Sequence, residues 1–565
     1  MTKKALTIIL SLILLLPILI YYTVWNYYAI NIPKWDDHAF KEFIETYAKA
    51  ANWQDKLKAL FSQHNEHRIA TTRLIAWLDY SLFGHLNYRH LMMAGNILLL
   101  GVIPLCYDIL KKNKKPLFAL VPIPFIWFTL AFWENMYWGM AAVQNFGVVT
   151  LALWTLYLCI KPQNAPFAVS LVLSLVTILT SGNGLLVLPI GAVLLFLTKN
   201  RKRFALWLVA SVAEIFIYFY WYIKPESNPA SKASFFQLVK GYMAFLGSFA
   251  ESIPVMDHFQ ACFFLGIVLF LVALSIMSAT LFRIARNKYG NKFERITDLF
   301  CLGTVMFILG TALIVVYSRA GFGLDTLITS RYKIYSVLLL IVAYLYIVIP
   351  IRGSFLSPYI TAIVFLAITF NVFSYHYHLV DAYNLRKELT SYQFNWTFTD
   401  KSLKQPADTS FAASIIEKTP VFYDKLLPLI SIADRQSYSG SSRGMVELFD
   451  RTAFKADTGS FNVMNTAFTS QRLQDSGVYI LLSSKNRFYL FPALRTRNKS
   501  RKELFLKQYY FESGFHSKIP YSDPLEKGTY NVALIRLQGD DAGILFKNQK
   551  ITIRQIKNNT VRVNW

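Results

Sequence analysis

Long apolar runs dominate the first two thirds of the chain and stop near residue 375. They fall at 6–30, 89–109, 116–132, 143–160, 167–180, 185–198, 204–223, 258–282, 296–317, 334–350 and 358–375. About twenty apolar residues let a helix cross a bilayer, so the pattern predicts eleven spans. The first run follows the basic start Met1-Thr-Lys-Lys4. No small-x-small cleavage site precedes Tyr21-Tyr-Thr-Val-Trp25 and further spans follow, so this run reads as a retained anchor rather than a cleaved signal peptide. Residues 167–198 read as two crossings hinged at Ser181-Gly-Asn-Gly184, because the basic residues flanking them must share one side of the membrane.

The period changes in two places. Within 31–88, Phe40, Phe43, Ile44 and Tyr47 share one helical face, and Trp53, Leu57, Leu60 and Phe61 share another. Such amphipathic helices between two spans are expected to lie along the membrane surface. Beyond 375 the chain reads as a soluble segment, helical in character to about 430. Strand-like runs follow: Val478-Tyr-Ile-Leu-Leu, Arg487-Phe-Tyr-Leu-Phe, Thr529-Tyr-Asn-Val-Ala-Leu-Ile, Gly543-Ile-Leu-Phe and Ile551-Thr-Ile-Arg. Polar turns separate several of them, which predicts a small β-sandwich. The expected fold is a polytopic α-helical membrane domain of about eleven transmembrane helices over 1–375, followed by a C-terminal soluble α+β domain over 376–565.

Composition sharpens the class. Of 565 residues, 54% are hydrophobic and only 16% charged, against about a quarter charged in soluble proteins. A soluble enzyme, a disordered chain and a fibrous protein are thereby excluded. The net charge of +25 would suggest nucleic acid in a soluble protein. Here loop lysines and arginines orient membrane helices instead, and no nucleic-acid partner is expected. The loops on the side of the N-terminus hold seventeen basic residues and the short opposite loops six. The N-terminus is therefore expected in the cytoplasm, with the first loop and the tail translocated. All four cysteines (Cys106, Cys159, Cys262, Cys301) lie in apolar runs, so no disulfide framework is expected.

Three translocated clusters carry candidate chemistry. Pro33-Lys-Trp-Asp-Asp-His38 opens the first loop. Its adjacent carboxylates, Asp36 and Asp37, suit a general base or a divalent-cation site, and equally the N-cap of the helix that follows. In Gln63-His-Asn-Glu-His-Arg68, His64, Glu66, His67 and Arg68 stand together. The histidines are three apart, so this is no zincin signature, and a polar helix-capping turn is the other reading. Between the ninth and tenth runs, Arg319, Arg331 and Lys333 suit a phosphate or diphosphate, or else snorkel beside lipid headgroups. Glu134, Trp138 and Gln144 are candidate cleft lining, and Glu214 is an acid within the seventh run.

The order of these features resembles the GT-C superfamily of membrane glycosyltransferases, which use polyprenyl-phosphate-linked sugars. The likeness rests on Trp35-Asp-Asp-His38, on His64-Asn-Glu-His-Arg68 and on Thr329-Ser-Arg-Tyr332, set in an acidic first outer loop, many spans and an outer soluble domain. It points to the bacterial branch that modifies surface polysaccharides such as lipopolysaccharide and O-antigen. The resemblance implies an inner-membrane enzyme moving a sugar from a polyprenyl-phosphate donor to a cell-surface glycan or glycolipid. It makes Asp36, Asp37 and Glu66 catalytic candidates. His64, His67, Arg68, Arg319, Arg331 and Tyr332 become substrate contacts, with Arg331 foremost on the phosphate. A divalent cation (Mg or Mn) at Asp36 and Asp37 stays open, since the acids are adjacent rather than spaced by one residue. An O-antigen-type polymerase or ligase and a lipid-linked saccharide transporter or flippase are the competing readings.

Overall fold

The structure, a computed structural model, describes residues 2–223, 233–254, 257–399, 443–457, 460–469, 477–484, 487–520, 525–526, 528–538 and 541–553. It is mostly helical, at 70%, with strands confined largely to the C-terminal region. Two compact units form. The first comprises Met1–Tyr27, Phe43–Leu82 and His90–His378; the second comprises Tyr28–Glu42, Phe83–Arg89 and Leu379–Trp565. The second unit resumes at Leu379 and also includes both ends of the first loop, Tyr28–Glu42 and Phe83–Arg89.

In chain order the helices are α1 (Lys3–Tyr28), α2 (Ala39–Lys49), α3 (Trp53–Leu60), α4 (Ala70–Phe83), α5 (Tyr88–Lys112), α6 (Leu117–Trp127), α7 (Gly139–Cys159), α8 (Asn164–Ile178), α9 (Gly182–Leu197), α10 (Arg201–Phe219), α11 (Phe235–Leu246), α12 (His258–Ala285), α13 (Lys292–Arg319), α14 (Lys333–Val348) and α15 (Leu356–Thr399). Among the described residues seven helices are long and apolar enough to cross a membrane: α1, α5, α7, α12, α13, α14 and α15. The runs expected at 116–132, 167–180 and 185–198 form shorter helices, α6, α8 and α9. Helix α6 ends at Trp127, where its last carbonyls meet a side-chain donor. Asn371 of α15 donates to the carbonyls of Phe125 and Phe128 near the helix end, at 2.7 and 2.9 Å. The break between α8 and α9 falls at the expected hinge. A Cβ on Gly184 would stand 2.3 Å from the Thr177 carbonyl oxygen, so only glycine permits that approach. The apolar helix α11 lies where sequence pattern showed only a loop.

The apolar face of α2 is buried as expected through Phe40, Phe43 and Ile44. Helix α3 leaves Trp53 and Leu57 exposed, the state expected of a helix that meets lipid rather than protein. All four cysteines are free and buried.

The second unit is built on strands β3 (Thr452–Ala456), β4 (Ser460–Asn465), β5 (Gly477–Ser483), β6 (Phe488–Pro492), β7 (Phe515–Pro520), β8 (Gly528–Gln538) and β9 (Asp541–Ile553), with helices α16 (Arg443–Asp450) and α17 (Arg501–Lys507). One antiparallel sheet has the order β3-β4-β7 and the other β6-β5-β8-β9. Phe461, Val463, Phe515 and Ile519 of the first share a core with Val478, Ile480, Leu482, Val532 and Leu534 of the second, so the sandwich is present. The two runs expected at 543–546 and 551–554 are one strand, β9, with an irregular register where it passes Asn531/Val532.

The larger sheet is covered on its other face too. Phe394 of α15 packs with Tyr479, Leu481, Leu490, Ala533, Ile535 and Ile544. Every residue of β5 is buried, as a strand sandwiched on both faces must be. The Asn395 side chain donates to Leu490 O and accepts from Leu490 N–H, at 2.9 and 2.5 Å, which occupies the open edge of β6. Lys387 is buried and donates to the carbonyls of Val478 and Ala493. Helical character was expected to about 430; α15 supplies it to Thr399, and 400–430 lies outside the described residues.

Candidate functional site

Gln63–Arg68 folds as a minimal antiparallel hairpin. Strands β1 (Gln63–His64) and β2 (His67–Arg68) pair Gln63 with Arg68 and His64 with His67. Asn65 holds the left-handed turn position at φ 48°, which asparagine tolerates better than most residues. The turn lifts Glu66 to its tip, where Oε1 accepts from Arg319 Nη2 at 2.5 Å and lies 3.8 Å from His67 Nε2. Arg319 ends α13, 253 positions away.

The base of the hairpin is fastened. Arg68 donates to the carbonyls of Tyr218, Phe61 and Tyr220. Burial pulls its guanidinium below the ordinary value, with Tyr218 and Tyr222 opposing. Anchored to three carbonyls, Arg68 braces the hairpin against the end of α10. Tyr222 adds a hydrogen bond to the Glu66 carbonyl at 3.3 Å. The His67 ring lies over Gly182, where a Cβ would come within 2.4 Å of Nδ1. The glycine hinge thus makes room for the histidine.

Arg331 sits at the other end of the loop that Arg319 begins. Its Nε is 3.6 Å from Glu134 Oε2, and its guanidinium lies 5.6 Å from the Trp138 ring and 5.9 Å from that of Tyr332. Ser330 donates to the same Glu134 oxygen at 3.1 Å. Asn135 donates to the Arg331 carbonyl at 3.0 Å and accepts from Asn145 at 2.7 Å. Glu134 and Trp138, expected only as lining, are buried and hold the arginine from its acidic and aromatic sides. Two positions on, Lys333 is buried in an ion pair with Glu251, whose Oε2 is 3.9 Å from His378 Nε2. Lys333 therefore anchors the loop. Gln144 lies in the π-helical turn of α7. Glu214 is buried within α10 and accepts from Ser174 at 2.7 Å.

The acidic pair belongs to the second unit. It lies on one turn of 3₁₀ helix, Trp35–His38. Asp37 is fully buried, and its Oδ2 accepts the Lys34 N–H at 3.1 Å; Asp36 is half-buried. Trp35 takes φ 47°, strained for a bulky residue, with the Lys34 ammonium 4.2 Å from its ring. Burial, with Lys41 adding, pushes His38 from 6.5 down to about 3, so its ring is neutral at physiological pH. Burial also lowers Lys41 to about 7, against the pull of Asp37.

No protein family matches the chain, and neither a curated protein nor a solved structure does. The chemistry has to be read from the residues themselves. Among the described residues, no group of three or more His, Cys, Asp or Glu side chains is placed to hold a metal ion. A cation at Asp36 and Asp37 would have to share Asp37 with its backbone contact.

Of the sequence candidates, Glu66, His67 and Arg319 meet directly, and Arg331 and Tyr332 form a second group. Glu134, Glu251 and Tyr218 acquire roles that only long-range contacts reveal. No local signal marks them beyond the bare presence of an acid or an aromatic residue at a span end.

Proposed function

We propose that the chain is a membrane glycosyltransferase of GT-C type. It would move a sugar from a polyprenyl-phosphate donor to a cell-surface glycan or glycolipid on the outer face of the membrane. The observation that carries this reading is the pairing of Glu66, from the first loop, with Arg319, from the loop after α13. It makes one polar centre of two segments that sequence alone singled out separately. Arg331, at the far end of the same loop, is likewise held by an acid from another segment, Glu134. Two arginines held by carboxylates at the ends of one loop are preorganised for an anion.

In this reading Arg331 and Arg319 bind the donor phosphate, and the Trp138 ring flanks the cation. The acceptor hydroxyl gives its proton to a carboxylate of the first loop, for which the resemblance to GT-C enzymes names Asp36 and Asp37, as that oxygen attacks the anomeric carbon. The bond to the lipid phosphate breaks, and the departing phosphate leaves as an anion that arginine stabilises and that needs no general acid. One displacement inverts the anomeric centre. His64 and His67 orient the acceptor. On the eleven-span topology expected from sequence, seventeen basic residues on one set of loops against six on the other favour a cytoplasmic N-terminus.

The test is a donor panel on the full chain in proteoliposomes with extracted surface glycan. Sugar transfer from a polyprenyl-monophosphate donor is the expected result, and a chelator arm reads whether Mg or Mn is required. Transfer only from diphosphate-linked saccharide would replace the reading with a polymerase or ligase. Lipid-linked sugar crossing the bilayer without transfer would replace it with a transporter.

A further inference from the structure

One surface of the second unit does not fit a protein that meets only water. Helix α17 is capped by Ser500, which accepts the Glu503 N–H at 3.3 Å, and is stopped by Gln508 at φ 58°. Its Phe505 and Leu506 are 78% and 74% exposed. No other large apolar side chain among the unit's described residues is as open. Arg501 and Phe505, and likewise Lys502 and Leu506, stand four residues apart and share a face. Lys499, Arg501 and Lys502 are all exposed. The single acid of the helix, Glu503, is engaged by Asn498 at 3.2 Å and Lys507 at 3.3 Å. The open face therefore combines two large apolar groups with a net positive charge, Lys499, Arg501, Lys502 and Lys507 against the one acid.

An apolar pair in water is a cost that folding leaves standing, and exposed apolar patches rimmed by charge mark interaction sites. Cations beside Phe and Leu on a short helix match the acyl–headgroup boundary of an anionic bilayer. A bilayer is also a partner the chain itself points to, since among the described residues seven helices are long and apolar enough to cross one. We propose that α17 is a membrane-surface foot. Phe505 and Leu506 enter the acyl boundary, and Lys499, Arg501 and Lys502 meet the phosphates of anionic phospholipid. This assignment is independent of the catalytic reading.

The full chain, labelled with an environment-sensitive fluorophore at Phe505→Cys, tests it in nanodiscs of phosphatidylcholine with or without phosphatidylglycerol. The native cysteines are buried, so labelling is selective; Leu506→Cys serves if the first variant fails to fold. Expected are blue-shifted emission and quenching by doxyl lipid with phosphatidylglycerol. The quenching falls severalfold in phosphatidylcholine alone or with R501E/K502E, and a label at exposed Lys518→Cys stays unquenched. A label unquenched in both lipids overturns the proposal. So does a blue shift that persists in lipid-free amphipol or grows with protein concentration, which would put protein on this face. Equal quenching in both lipids, unaffected by R501E/K502E, overturns the assignment to an anionic surface.

Discussion

Asp36→Asn is expected to lower sugar transfer by roughly a hundredfold or more, the usual worth of a positioned general base. The substitution keeps the size of the side chain and removes its charge and its ability to take the acceptor proton. In the proposed reading the arginines bind the donor, so the loss is expected in kcat with donor KM nearly unchanged. The neighbouring acid behaves differently. Asp37 is buried with one oxygen on the Lys34 N–H, so Asp37→Ala removes a cap worth about 1 kcal/mol and a charge facing the buried Lys41. Its signature is a lower Tm. A hundredfold loss of kcat in Asp37→Asn with Asp36→Asn fully active would reverse the assignment between the two.

Arg331→Ala is expected to cost roughly a hundred- to a thousandfold in kcat/KM, the range for removing a principal donor to a developing anion. The arginine is oriented by Glu134 and by the faces of Trp138 and Tyr332. Lysine restores the charge without the planar fork, so Arg331→Lys should recover only part of the loss. Glu134→Gln, which loosens the arginine without removing it, should fall between wild type and Arg331→Ala. Steady-state transfer with varied donor measures all three, and an Arg331→Ala enzyme of unchanged kcat/KM would remove this residue from the donor site.

Hydropathy made much of this architecture legible. The apolar runs became helices, and the face of Phe40, Phe43 and Ile44 was buried as its spacing required. The strands at 477–483, 488–492 and 528–538 were visible because they are dense in β-branched, aromatic and aliphatic residues. Strands β3, β4 and β7 carry a weaker signal: β7 alternates buried and exposed, but the polar Ser517 stands between Phe515 and Ile519 on its inward face and interrupts the apolar alternation. Helix α15 outlasts its apolar run for a physical reason. Past residue 378 its polar side chains find protein backbone: Asn384 bonds Arg495 O, Lys387 bonds Val478 O and Asn395 bonds Leu490.

The site was legible as residue types and not as pairs. Glu66 and Arg319 were both candidates, yet nothing local links positions 253 apart. Arg68 was a candidate substrate contact for its charge, and the sequence held no sign of the three carbonyls that claim it. The two acids of the first loop looked equivalent until burial separated Asp37 from Asp36.

The most direct measurement is a double-mutant cycle on transfer, with Glu66→Gln, Arg319→Gln and the double variant beside the unaltered chain. If the hairpin acid and the loop arginine act as one unit, each single change lowers transfer and the double variant loses far less than the product of the two losses. Independent, multiplying losses would contradict that unit. Absence of transfer by the unaltered chain, with every polyprenyl-phosphate donor tried, would contradict the enzyme reading as a whole.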